Sequence, residues 1–152
     1  MGLIASVDNR KDFEPITEMI QPGVLADIVD KGEVPNKFKP GTVQPKCMFV
    51  WILAEEDSEG RNKRVFETFT VSLNEKATLR KRLKDFGKTE YAKGETLELD
   101  QFIGQKRMLV MAEEDGDNGK KFVKVTATMK LTKGQNVDIP KEFVRRQDQP
   151  AR

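Results

Sequence analysis

The chain has 152 residues, 34% of them charged, with a formal net charge of +2, one cysteine and no histidine. That length suits one domain able to bury a core, while the lone Cys47 precludes an intramolecular disulfide and the lack of histidine excludes histidine-based triads and the usual zinc sites. No stretch approaches the ~20 apolar residues of a membrane-spanning helix, and the first residues lack a signal peptide's apolar run, so the expectation is a non-exported protein of the cytoplasm.

Residues 1–22 carry mixed charge around Ile16, Met19 and Ile20, then the turn signal Gln21-Pro22-Gly23, and read as an N-terminal arm that is partly docked. Residues 23–29 form a first strand. Residues 30–46 contain three of the seven prolines and two glycines, which predicts a long loop. It sets Lys31, Lys37, Lys39 and Lys46 around Phe38, and loops of this length inside compact domains are more often functional than idle. Residues 47–53 are an apolar second strand in which Cys47 reads as a buried thiol. Phe49 and Trp51 share one face of it and Met48, Val50 and Ile52 the other. Both sets are apolar, so alternation leaves open which one fills the core.

An acidic turn at 54–60 leads through Arg61, Lys63 and Arg64 into a third strand, 65–71. There Phe66, Thr68 and Thr70 alternate with the more apolar Phe69 and Val71, which places Phe66 outward. Ser72 and Glu75 have the spacing of a capping box and predict a helix starting at Leu73. Leu79, Leu83 and Phe86 form its apolar stripe, and Gly87 supplies the stop. Arg80, Lys81 and Lys84 fall within roughly 100° of arc on the opposite side. Residues 73–88 hold six cations against two anions, so the rest of the chain is net −2. Such segregation is the footprint an anionic partner requires. Residues 96–104 read as a short helical turn or irregular crossover, 108–111 and 121–131 as strands joined by a second acidic turn, and 132–152 as a flexible tail with one short helix at 141–146.

This order, mainly β with one helix between strands 3 and 4, is that of an OB-fold, a five-stranded Greek-key barrel that binds oligonucleotides across strands 2 and 3 and the adjoining loops. The domain runs over 23–131. The run TFTVSLNEKATLRKRL, with GVLADIVDKG upstream and LELDQFIGQKRMLVM and KFVKVTATMKL downstream, resembles a family of bacteriophage single-stranded DNA-binding proteins of OB-fold type. The resemblance implies sequence-independent binding of single-stranded DNA in phage replication or recombination, in the host cytoplasm. Many proteins with that task end in an acidic tip that recruits partner enzymes, whereas this chain ends in Arg145, Arg146 and Arg152.

Binding of this kind needs cations for phosphates and flat side chains for bases. Candidate stackers are Phe38, Phe49, Trp51 and Phe66, and candidate phosphate contacts are Lys37, Lys39, Arg61, Lys63 and Arg64. Arg80, Lys81 and Lys84 are secondary candidates for a wrapping strand or a second subunit in a homo-oligomer. Neither a metal nor a cofactor is expected. In the run from Asp115 the glycine falls one place early for a calcium loop and Thr126 stands where its twelfth ligand would be. No nucleophile or phosphate-cradling loop accompanies the carboxylates, so the expectation is a binding protein rather than an enzyme. The alternative is an adaptor that assembles replication or recombination enzymes through its basic helix and acidic turns.

Overall fold

The computed structural model describes residues 14–116 and 119–149. Five strands, β1 (Ile20–Pro35), β2 (Val43–Glu56), β3 (Asn62–Thr70), β4 (Lys106–Asp115) and β5 (Lys121–Met129), are joined by one helix, α1 (Thr78–Asp85), between β3 and β4. They form a single antiparallel sheet in the order β3-β2-β1-β4-β5, mainly β with one helix and consistent with an OB-like fold. The barrel expected from the sequence is not closed: β3 and β5 approach each other, but no ladder joins them.

The first hairpin is longer than its composition suggests. The strands run on to Pro35 and Val43, leaving only residues 36–42 as the loop. Proline is tolerated in strands where no ladder bond is asked of it. Among the described residues the far edge of β1 has no partner strand beyond Val24, and β3 ends opposite Lys46, so Pro35 and Pro45 lie where the hairpin has outrun its neighbours. Register shifts between Leu25 and Asp27 and between Asp30 and Gly32 mark bulges that bend the hairpin.

Helix α1 begins later than Leu73. Ser72 Oγ accepts from the Asn74 amide at 3.2 Å, a local turn that competes with the capping box, and the N-cap position falls to Ala77 without a side-chain cap. Its end follows the sequence signal. Gly87 takes φ +92, its amide donates to Lys84 O and that of Lys88 to Leu83 O, a Schellman stop. Leu79 and Leu83 are wholly buried against the strand residues Leu25, Phe49, Trp51 and Leu109.

The helix lies across the open seam through a chain of polar contacts. Trp51 Nε1 on β2 donates to Glu67 Oε2 on β3, and Arg82 of α1 binds the same carboxylate with Nη2 at 2.6 Å from Oε1. Arg82 Nη1 then donates to Asp85 Oδ2, which also accepts the Thr128 hydroxyl of β5 at 2.9 Å. Thus β3 and β5, which share no backbone bond, are tied by side chains.

A second, smaller apolar cluster sits on the outer side of the sheet. Val24, Ala26 and Ile52 are covered there by Val137, Ile139 and Phe143. Arg145 Nε donates to Asp27 Oδ1 at 2.9 Å and the Arg146 amide to Asp27 Oδ2 at 2.8 Å. The segment expected as a free tail is therefore laid on β1 and β2, because outward apolar residues on those strands need a cover. The helix expected at 141–146 is absent, and a single 3-10 turn forms at Arg146–Asp148 instead. At the other end, Ile16 and Met19 of the expected arm pack against the main core, while Ile20, 55% exposed, already opens β1; residues 1–13 of that arm lie outside the described residues.

Candidate nucleic-acid interface

Pairing of β2 with β3 decides the phase that alternation left open. Trp51 stands opposite Val65 and Phe49 opposite Glu67, both pointing into the core, and both rings are 0% exposed. Neither can serve as a stacking platform, which corrects two of the four candidate stackers. Phe49 instead meets Phe69 edge-on at 4.8 Å, and Trp51 lies 5.9 Å from Phe86.

The other phase faces outward. On β3 it presents Arg64, Phe66, Thr68 and Thr70, opposite Ile52, Val50, Met48 and Lys46 of β2. Phe66 is 47% exposed, as its alternation with threonine predicted. Lys46 donates to Thr70 Oγ1 at 2.7 Å, which places a cation on this face that the list of phosphate contacts above omits; its position in a proline-rich stretch hid its membership of a strand.

Beyond Lys46 the face leads to the hairpin tip. The Asn36 amide donates to Thr42 O, Asn36 Oδ1 accepts from the Phe38 amide at 2.9 Å, and Gly41 turns the chain with φ +83. That turn leaves Lys37 and Lys39 exposed on either side of Phe38, which is 92% exposed. From Val50, opposite Phe66, to Val43 at the base of the tip is seven residues, about 23 Å of strand.

The basic residues at the opposite end are engaged. Arg61 pairs with Glu59 at 2.8 Å and Asp57 at 3.4 Å. Lys63 is nearly buried against Glu55 and also donates to Pro15 O. Burial by itself would raise the Glu55 carboxyl, but the ammonium of Lys63, the amides of Glu18 and Thr17 and the Gln21 side chain outweigh it and hold the group down at about 2. Arg64 keeps its place on the face but lies over the ring of Phe143, 5.2 Å from the centroid. On α1, Arg80 is held by Leu73 O and by the Tyr91 ring at 4.4 Å, while Lys81 and Lys84 are exposed.

Glu113, Glu114 and Asp115 are exposed at the β4–β5 turn, and Asp117 and Asn118 lie outside the described residues. Among the described residues no group of acids or Cys47 is placed to hold a metal ion. A cleft of about 490 Å³ beside the hairpin stem has Ile28, Cys47 and Leu99 in its walls. Burial pushes the Cys47 thiol up to about 11, so at neutral pH it is no nucleophile.

The arrangement offers two exposed aromatic rings, Phe66 on the sheet face and Phe38 at the hairpin tip, with Arg64 and Lys46 on that face and Lys37 and Lys39 exposed at the tip. No protein-family model matches the sequence, and no curated protein aligns with it significantly. Among the described residues no helix is long and apolar enough to cross a membrane.

Proposed function

We propose that this protein binds single-stranded DNA without reading its sequence. The strand lies over the outer side of β2 and β3, from Arg64 and Phe66 past Lys46 to the tip formed by Lys37, Phe38 and Lys39. The observation that carries this reading is Phe38, a ring 92% exposed between two lysines on an ordered turn. An aromatic so presented gains little in water, whereas a stacked base is worth ~1–3 kcal/mol. The sheet order supports it, being that of an OB-fold, whose ligand face is strands 2 and 3 with the β1–β2 loop. In this reading the fold is a Greek-key barrel with α1 plugging the seam between β3 and β5, and the protein acts by binding, not catalysis. A place in phage replication or recombination, in the host cytoplasm beside the enzymes of those processes, is supported by the sequence resemblance.

The test is a titration of labelled oligo-dT followed by anisotropy at several salt concentrations. The reading expects binding with a log-log salt slope of about −0.7 per phosphate contacted, and similar affinity for oligo-dA and mixed sequences. No measurable binding at low salt overturns it.

A further inference from the structure

The outer side of the sheet carries apolar residues on both halves, yet among the described residues only one half is covered by the chain itself. Over β1 and β2 the segment 137–143 lies on Val24, Ala26 and Ile52. Over β1, β4 and β5 the residues Ile20, Val110 and Ala127 form one rung across three strands. They point away from the core that Leu109 and Met111 enter. Ile20 is 55% and Met129 46% exposed, Ala127 is exposed and Val110 half-buried. A strand face that meets water normally carries polar residues, and contiguous apolar ones mark an interaction surface.

The charges at its ends decide the occupant. The β4 residues that share this face are Lys106, Met108, Val110, Ala112 and Glu114: a cation, three apolar residues of which Met108 is already buried, and an anion. Such a row is complementary to its own reversed copy, which is what a twofold, isologous contact requires. We propose that two copies of this chain associate face to face through β1, β4 and β5, about a twofold axis running along the Ile20, Val110, Ala127 rung. The axis sets Val110 on its counterpart and brings Lys106 of one copy opposite the partner's Glu114. Lys106 already donates to Asn136 and Asp138, but its side chain remains 32% exposed and an ammonium has three donors. Glu114 has only a loose pairing with Lys124 at 3.6 Å, both exposed, and is free to turn.

The association needs no DNA, so its test is independent of the proposed binding activity. Sedimentation velocity on the full chain, from micromolar to near-millimolar concentration, is expected to show a mass rising toward twice that of the monomer. Glu114→Lys and Lys106→Glu each place like charges at both ends of the contact and are expected to stay monomeric. Mixing these two variants pairs opposite charges at both ends again and is expected to restore the dimer, a rescue that effects confined to a single chain do not produce. Ile20→Glu, on an exposed position that tolerates charge, is expected to abolish the dimer without rescue. A wild-type chain that stays monomeric throughout overturns the proposal. So does a dimer indifferent to Ile20→Glu and to both reversals, because the copies then meet elsewhere.

Discussion

Trp51 donates its indole hydrogen to Glu67 over 2.9 Å inside the core, and Glu67 in turn holds the guanidinium of Arg82. The tryptophan of β2 is thus one end of the contact chain that carries β3 to α1 and on to β5. A buried carboxylate is tolerated here because a full positive charge and an indole donor satisfy it.

Glu67→Ala is expected to destabilise the protein by up to about 3–5 kcal/mol, since it leaves the Trp51 indole without its acceptor and Arg82 with Asp85 as its remaining anion in a site with little water. Glu67→Gln keeps a partner for Trp51 and is expected to cost less. Urea unfolding followed by tryptophan emission measures both. In the folded protein that emission should be blue-shifted, inaccessible to iodide and unchanged on adding oligo-dT, because the ring does not meet the ligand.

Phe38→Ala is expected to weaken oligo-dT binding by the ~1–3 kcal/mol of a lost stack, with the thermal midpoint unmoved, since the ring touches little of the fold. Replacing Lys37 and Lys39 by Ala should flatten the salt slope in proportion to the phosphates lost. Phe49→Ala, by contrast, empties a core position and should cost about 3–5 kcal/mol of stability. Anisotropy and thermal denaturation on the same variants separate the two kinds of effect.

Glu55 fixes the acid limit of the arm and the second hairpin. Its folded pKa of about 2 lies below the ordinary 4.5, so the carboxylate binds fewer protons folded than unfolded. Its contribution is therefore fully present above about 4.5 and is lost as the pH falls from there toward about 2. Glu55→Gln should lower the urea midpoint at neutral pH and make it less sensitive across that window. An equal acid dependence in the two proteins would show that other carboxylates govern it.

Gly23 is in β1 because Leu109 occupies the space a side chain would need. A Cβ there would lie 2.5 Å from Leu109 Cδ1 and 2.9 Å from its Cγ, so the fully buried Leu109 would have to shift within a packed core. Gly23→Ala should cost about 1–3 kcal/mol by overpacking, and Leu109→Val in the same chain should return part of it. Denaturant midpoints of the two single variants and the double variant decide.

Signals confined to a few neighbouring residues were legible in the sequence. The order of strands and helix, the Leu79 and Leu83 stripe, the Gly87 stop and the outward placing of Phe66 all depend on periodicity or on one turn of backbone. Even there Ser72 was ambiguous, because its hydroxyl serves a local turn as readily as a helix start. What the tertiary structure alone decided were the facts that need a partner distant in sequence. The phase of Phe49 and Trp51 followed from the register of β2 against β3, since both faces of that strand are apolar. The engagement of Lys63 followed from Glu55 and Pro15 folding against it, and the docking of Val137, Ile139 and Phe143 from an apolar outer surface that exists only once β1 and β2 are paired. Composition and spacing determine which elements form; burial and charge pairing are properties of neighbours in space, and only the folded chain determines those.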